Sequence, residues 1–449
     1  MGKSSSLHNV WLAWRGWLQP GIGVKRWLLL LGMGAVITGI GVAAFIFTLG
    51  NNEILSDGFF SIITLQFLPP VLRIIAPLLL GGSIILLAII RLGRTLVAPF
   101  RYPDDVVVQL LQSYSRRNRG PRIVAIGGGT GLPNLLRGLT SYTSNITAVI
   151  TVADDGGSSG RLRRELGLLP PGEFRNNLAA LARDETLMTQ LLQYRFTGRV
   201  VEGNGRENSQ LKGHAFGNLL LAALTGISGS FDEALVAAGR VLALQGQVLP
   251  STLADVTLVA EVSMNENEAR ERIVGESEIP KSGGTIESVS LEPPDATAYP
   301  LAVKAILQAD LIIIGPGSLY TSILPNLLVP DIARAIQRTR AFKIYICNLA
   351  TQSGETDNYT VVDHVSAIDK HVARVGVRPA EWVDVVLANN NRSIPADTGG
   401  GNTIFVDLAE LPGRNLRSDD LVDEDRPWRH DSSKLAGALK SIGSAKINW

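Results

Sequence analysis

Two hydrophobic patterns divide the chain. The first is long and unbroken. Trp27 to Leu49 runs 23 residues without a charge, and a second apolar stretch runs from about Val71 to Ile90, with Arg73 near one end. As helices rising 1.5 Å per residue, both are long enough for ~30 Å of hydrocarbon. A membrane helix tolerates Pro77, Gly81 and Gly82, and an arginine near a helix end snorkels to the interface. A signal-peptide core spans only ~7–15 residues, so that reading fits poorly. The pattern predicts a two-helix membrane hairpin over 1–101, with spans at about 27–49 and 71–90.

From Arg122 the pattern changes to short β-branched runs alternating with helical stretches. Strands are predicted at Arg122–Ile126, Ile146–Val152, Asp310–Ile314, Lys343–Cys347 and Trp382–Leu387. Helices are predicted at Leu132–Leu139, Phe174–Ala182, Phe216–Leu224, Asp232–Leu244, Leu301–Ala309, Ile332–Thr339 and Val361–Val372. Near-continuous apolar strands separated by helices imply an α/β fold: a mostly parallel, Rossmann-like sheet with helices on both faces. The stretch Gly246–Pro294 differs. Within it Val256–Val262 and Thr285–Leu291 alternate, which predicts a small antiparallel insertion. Residues 391–402 read as a loop and 408–428 are poorly patterned. Residues 102–120 read as a linker, helical over Asp104–Tyr114 and then polar and basic over Ser115–Pro121. The body is residues 121–449.

Charge sharpens this division. The 449 residues hold 42 Lys+Arg and 41 Asp+Glu, which argues against a diffusely basic nucleic-acid binder. Residues 1–101 hold Lys3, Arg15, Lys25, Arg26, Arg73, Arg91, Arg94 and Arg101 against Glu53 and Asp57, leaving 34 basic and 39 acidic residues for the remainder. Basic residues precede the first span and follow the second, while the loop between carries only the two acids. The positive-inside rule then predicts a multi-pass protein of the cell membrane, with both termini and the body cytoplasmic. Trp11, Trp14, Trp17 and Trp27 suit an interfacial belt. The single cysteine, Cys347, excludes an intrachain disulfide framework and a cysteine-based zinc site.

The chemistry is expected where four strands end. The loops are Gly127–Gly131, Ala153–Arg161, Gly315–Ser322 and Asn348–Asp357, all small and polar. In an open parallel sheet, ligands bind beyond the carboxyl ends of the strands, at a switch point. Glycines let main-chain amides approach an anion, and a helix N-terminus adds about half a positive charge. A shared phosphate site for a nucleotide is therefore expected. No Gly-x-x-x-x-Gly-Lys-Ser/Thr occurs, so a P-loop is unsupported. Asp154 and Asp155 suit Mg²⁺ beside a diphosphate, or Asp155-Gly156 simply makes a turn. Arg161 and Arg175 suit a phosphate clamp or surface ion pairs. Asn176 and Asn177 suit base or sugar recognition or helix capping. His214 lacks a visible acid–base partner. His364 and His371, seven apart on one helix face, read as packing rather than a metal pair. Ser158 and Ser318 lack an assigned base.

These residues carry a family resemblance. Arg122–Gly131, Thr151–Arg161, Gly213–Asn218, Gly315–Ser322 with Pro325-Asn326, and Thr351–Asp357 resemble the YvcK/CofD-like family, bacterial proteins called gluconeogenesis factors. The likeness covers about 120–390 and resumes at Trp428–Leu435. The membrane hairpin departs from the usual soluble member. The resemblance implies support of cell shape and wall synthesis during gluconeogenic growth, and binding of a UDP-sugar such as UDP-N-acetylglucosamine. The related transferase branch joins a lactyl phosphate moiety to a deazaflavin alcohol, assisted by Mg²⁺. Carried over, the resemblance implies ligand contacts at Gly128, Gly129, Thr130, Gly131, Asp154, Asp155, Gly156, Gly157, Ser158, Ser159, Arg161, Asn176, His214, Asn218, Gly315, Gly317, Ser318, Thr321, Asn326 and Arg429. Asp154 and Asp155 would face the metal or reacting side. An aromatic platform from the C-terminal region would have to be Trp382, Phe405 or Trp428.

Two functions follow as expectations. One is a UDP-sugar sensor tethered to the bacterial inner membrane beside cell-wall synthesis proteins. The other is a Mg²⁺-assisted transferase of phosphorus-containing groups. Self-association into a homo-oligomer is also expected from the family.

Overall fold

The structure, a computed structural model, describes residues 25–49, 69–97, 120–196, 211–264, 270–393, 405–444, 446, 447 and 449. The expected helix at Asp104–Tyr114, the loop between the spans and most of 391–402 lie outside them. The chain divides into two units, Met1–Gln112 and Ser113–Trp449.

The first unit is an antiparallel helix pair, α1 (Lys25–Leu49) and α2 (Pro70–Val97). Small residues let the backbones approach. A side chain at Gly34 would meet Ile85 and the Gly81 carbonyl, and one at Gly41 would meet Pro77 and Leu78. The outward faces are apolar: Leu29 is 75% exposed, Leu79 66% and Leu86 60%. Among the described residues one helix segment, Ile74–Leu92, is long and apolar enough to cross a bilayer, and the described apolar part of α1, Trp27–Ala43, is shorter.

The second unit is built on a seven-stranded sheet. Its strands are β1 (Ile123–Gly127), β2 (Ile146–Ile150), β3 (Gln247–Pro250), β7 (Leu311–Ile314), β8 (Phe342–Ile346), β9 (Val385–Asn389) and β10 (Asn415–Asp419). They lie in the order β10-β9-β8-β7-β1-β2-β3. Every neighbouring pair is parallel. The chain runs outward from β1 through β2 to β3, then returns to β1's other side with β7. The strand order therefore reverses between β1 and β7. Every residue of β1, β2, β7 and β9 is buried, so both faces are covered.

The covering helices, in chain order, are α3 (Gly131–Leu139), α4 (Gly157–Leu166), α5 (Gly172–Leu181), α6 (Glu185–Gln193), α7 (Phe216–Ser228), α8 (Phe231–Val241), α9 (Pro300–Gln308), α10 (Leu324–Leu327), α11 (Pro330–Arg338), α12 (Val361–Arg374) and α13 (Ser432–Gly443). The insertion is a three-stranded antiparallel sheet: β4 (Thr257–Ser263) lies between β5 (Glu271–Val274) and β6 (Thr285–Glu292). It is fastened to α12, because the Val289 amide donates to His371 Nε2 at 2.9 Å. His371 is thus a packing residue, as the sequence suggested.

Three expectations need correction. Gln247–Pro250, assigned with the insertion, is a strand of the main sheet and pairs with β2. The poorly patterned 408–428 contains β10, an edge strand whose residues are mostly exposed and so lack an apolar signature. The last predicted strand starts at Val385 rather than Trp382. Trp382 lies below it, buried, its Nε1 donating to Asp369 at 2.6 Å.

Candidate ligand-binding site

Parallel pairing places the carboxyl ends of β1, β2, β7 and β8 on one rim, and the four glycine-rich loops with them. The loops after β1 and β7 meet at the reversal of strand order. There is no room for a side chain between them. A Cβ on Gly131 would lie 2.8 Å from the Pro316 carbonyl oxygen, and one on Gly317 would lie 2.8 Å from the Gly128 carbonyl oxygen. The β1 loop turns at Gly129, whose φ of +67° suits glycine. Asn326, fully buried, braces this loop from beneath by donating to the Gly127 carbonyl at 3.0 Å and the Ser322 carbonyl at 2.8 Å. It supports the cradle and does not line it.

The fourth loop is stitched to the third. Gln352 Nε2 donates to Ser318 Oγ at 2.9 Å, and Asn348 Nδ2 donates to Gln352 Oε1 at 3.2 Å. Together with the C-terminal region these loops enclose a cavity of about 100 Å³. Thr130, Gly131, Gly317, Ser318, Gln352 and Arg429 stand on its wall, with Trp428 and Asn348 beside them. Of the three candidate aromatic residues, Trp428 is the one at the cavity. It is 42% exposed, whereas Trp382 and Phe405 are buried elsewhere.

The cavity is suited to an anion. Thr130 precedes α3 and its side chain makes no cap hydrogen bond, and an uncapped helix start favours an anion. The Arg429 guanidinium is held below its ordinary pKa first by burial and then by the neighbouring Arg426 and Arg137. Crowded positive charge of this kind is relieved by a negative ligand.

An acidic rim lies on the other side of Gly128–Gly129. Burial raises the Asp154 carboxyl, and nearby Asp155 raises it further. Burial, followed by Asp154, pushes Glu173 up to about 7, although the Gly129 amide donates to it. Glu276 is pushed up to about 8, by burial first and then by Asp154, Asp155, Glu173 and Glu355. Sequence reasoning overlooked Glu173 and Glu276. Glu173 follows the rigid Pro170-Pro171-Gly172 run, which was a usable signal. Glu276 comes from the insertion, and nothing in its local sequence marks it.

The two adjacent aspartates have different partners. Asp154 accepts from the Gly156 amide at 2.9 Å and Asp155 from the Ser277 amide at 2.9 Å, so Asp155 ties the insertion to the rim. Among the described residues no three His, Cys, Asp or Glu side chains form a metal cage. Mg²⁺ usually keeps several non-protein ligands, so Asp154 fits as a protein ligand only if phosphate and water complete the shell.

The remaining candidates form a supporting layer. Ser158 Oγ and His214 Nδ1 are 3.0 Å apart, and Asn218 Nδ2 donates to Ser158 Oγ at 3.1 Å. Arg175 Nη1 donates to Asn218 Oδ1 at 3.1 Å and its Nε to Asn176 Oδ1 at 3.2 Å. Ser159 and Gly172 pack together, while Gly156 and Gly157 open α4. Arg161 donates to the Lys212 carbonyl at 3.2 Å. Thr321 donates to Glu355 at 3.1 Å, and Gly315 turns the chain out of β7 at φ +78°.

Comparison with known proteins agrees with this architecture. Residues 123–417 match the family described as 2-phospho-L-lactate transferase CofD. The gluconeogenesis factor of Bacillus subtilis is 44% identical over 331 residues, 72% of this chain and 98% of that protein. A Nostoc protein provisionally designated a gluconeogenesis factor is 43% identical over 451 residues, 97% of this chain and 94% of its own, so the likeness reaches into the helix pair. The crystal structure of a upf0052-family protein from Bacillus halodurans superposes with a TM-score of 0.62 at 44% identity, covering 71% of this chain and 98% of that one. The chain belongs to the CofD family and groups within it with the gluconeogenesis factors.

Proposed function

We propose that the body is a UDP-sugar-binding regulatory module that supports cell shape and wall synthesis during gluconeogenic growth. The observation that carries this reading is the meeting of the two glycine loops beside Arg429 and Trp428. Main-chain amides of Thr130, Gly131 and Ser318 cradle the diphosphate, since those of Gly129, Gly315 and Gly317 already donate to Glu173, the Ile126 carbonyl and Asn348. Arg429 neutralises it, and Trp428 offers a face to the uracil or sugar. The acidic rim takes the sugar hydroxyls, with Asp154 reaching Mg²⁺ through the diphosphate. Titration calorimetry of the body against UDP-N-acetylglucosamine, UDP-glucose, GDP and NAD tests this. Saturable heat with a UDP-sugar alone is expected. No heat with any UDP-sugar rejects the reading.

The acidic rim favours a second reading, a phosphoryl-lactyl transferase of the 2-phospho-L-lactate transferase type. Glu276 and Glu173, with proton affinities near neutrality, would then serve as acid–base groups. Such an enzyme consumes its donor and releases a nucleotide, whereas a sensor returns its ligand unchanged. Chromatography of the incubated ligand separates the two.

The helix pair is proposed to anchor the protein in the membrane, with the body in the cytoplasm. Its outward leucines, isoleucines and valines support this, since a soluble surface rarely carries so large an apolar patch. The flanking basic residues set the orientation. A reporter fused after Arg101 is expected to register as cytoplasmic, and one inserted at Asp57 as external. Two cytoplasmic signals would reject the hairpin.

A further inference from the structure

The rim opposite the ligand cavity carries a second feature. There the amino ends of the strands gather around a cavity of about 790 Å³, lined by Gly120–Arg122, the end of α9, Arg338–Ala341, Lys446 and Ile447. Arg122 is engaged by Asp310: its backbone amide, Nε and Nη2 donate to that carboxylate at 2.8, 3.2 and 2.9 Å. Arg338, Arg340 and Lys446 are exposed, and none has an ion-pair partner among the described residues. Arg338 ends α11, where a cation offsets the helix dipole. Arg340 and Lys446 lie beyond helix ends and have no such role. Next to them Lys440 Nζ lies 4.7 Å over the Tyr142 ring, and Tyr142 meets Trp449 edge-on at 5.7 Å. A side chain at Gly120 would meet the Tyr142 carbonyl oxygen at 3.0 Å, so this aromatic pair adjoins the cavity.

Unpaired cations flanked by half-buried tyrosine and tryptophan suit the headgroup layer of an anionic membrane, where aromatic rings sit at the interface and basic side chains are attracted to the surface. The chain also enters the body on this rim, at Gly120, joined to α2 by residues 98–119. We propose that the amino-terminal rim docks on anionic phospholipid headgroups, which turns the ligand cavity on the opposite rim away from the bilayer. The setting rests on the anchor reading above, but the surface can be tested without the hairpin. The Bacillus halodurans protein is a body of this kind, matched over 98% of its length by 71% of this chain, so the body folds alone.

The test is co-sedimentation of residues 113–449 with vesicles of phosphatidylcholine, or of phosphatidylcholine with phosphatidylglycerol at a 7:3 ratio, roughly a physiological anionic content. Binding only to the anionic vesicles, weakened by salt, is expected. Each basic residue near such a surface contributes about fivefold. The triple variant Arg338→Gln, Arg340→Gln, Lys446→Gln should therefore bind roughly a hundredfold more weakly, with unchanged circular dichroism. Glycerol phosphate at millimolar concentration should not displace the body. Equal binding to both vesicles, undiminished binding of the triple variant, displacement by glycerol phosphate, or preference for an RNA duplex over the vesicles would each overturn the proposal. Failure of the topology reporters would leave these outcomes unaltered, so the two ideas fail separately.

Discussion

Gly131→Ala is expected to weaken UDP-sugar binding at least tenfold and to lower the thermal midpoint of the body. The added methyl would sit 2.8 Å from the Pro316 carbonyl oxygen and 3.2 Å from the Gly317 amide nitrogen. Neither atom belongs to a flexible side chain, so the β1 and β7 loops must separate. Forcing a methyl into a packed position costs about 1–3 kcal/mol. The separation also moves the amides that face the ligand, and loops placed to cradle a diphosphate tolerate little displacement. A control isolates the effect. A Cβ on Gly437, within α13, meets nothing within 4 Å, so Gly437→Ala is expected to bind normally and to gain roughly 0.5–1 kcal/mol of helix stability. Calorimetry and thermal melts on the three proteins decide the matter. Normal affinity in Gly131→Ala would show that the ligand does not use the cradle.

The parts of the site that were legible in the sequence are those whose chemistry is local. Gly127–Gly131 and Gly315–Ser318 each follow an apolar strand. Parallel pairing alone then brings them to one rim. The strands with fully buried residues were visible for the same reason: burial on both faces demands an unbroken apolar run. What escaped notice depends on distant contacts. β10 reads Asn-Leu-Arg-Ser-Asp and pairs only with β9, so no apolar pattern is required of it. α4 begins Gly-Ser-Ser-Gly, which reads as loop, yet it is helical from Gly157, directly after the turn in which Asp154 accepts from the Gly156 amide. Glu276 acquires its character from burial first and then from four carboxylates distant in the chain. No window of sequence around it contains them.

The site and the fold are joined through the insertion. Asp155 holds the Ser277 amide at the rim, while His371 holds the Val289 amide on α12. The three-stranded sheet is thus pinned at two points and presents Glu276 to Asp154 and Glu173. A ligand at the rim, if bound as proposed, would act on a segment with its own packing. This is the arrangement a ligand-responsive element needs, since a ligand shifts only equilibria that it touches.

Those groups also set how the body's stability depends on pH. Burial holds His371 and His430 down at about 4, against an ordinary 6.5. His371 Nδ1 donates to the Ala367 carbonyl at 2.6 Å and Nε2 accepts from Val289, so a second proton would put two donors face to face. Their neutral forms contribute stability that is complete above pH 6.5 and is lost as pH falls toward 4. Glu173 and Glu276 act oppositely. Raised from 4.5 to about 7 and about 8, they cost nothing below pH 4.5, and their cost grows until pH passes 8. Between pH 4.5 and 6.5 the two pairs oppose each other and the slope is small. Between pH 6.5 and 8 only the glutamates titrate, and the body is expected to lose about 1–2 kcal/mol after discounting for solvent screening. Urea midpoints with EDTA present, at pH 5.5, 6.5 and 8.5, measure this. Glu276→Gln should flatten the alkaline decline and raise the midpoint at every pH above 4.5, more at pH 8.5 than at pH 5.5. His371→Gln should leave the alkaline decline in place and unbalance the opposing pairs below pH 6.5, so that its midpoint rises from pH 6.5 to pH 5.5 while the parent's stays nearly level. A variant Glu276→Gln that declines as steeply as the parent would show that Glu276 already carries its charge at neutral pH, and the acidic rim would then be a set of solvated carboxylates.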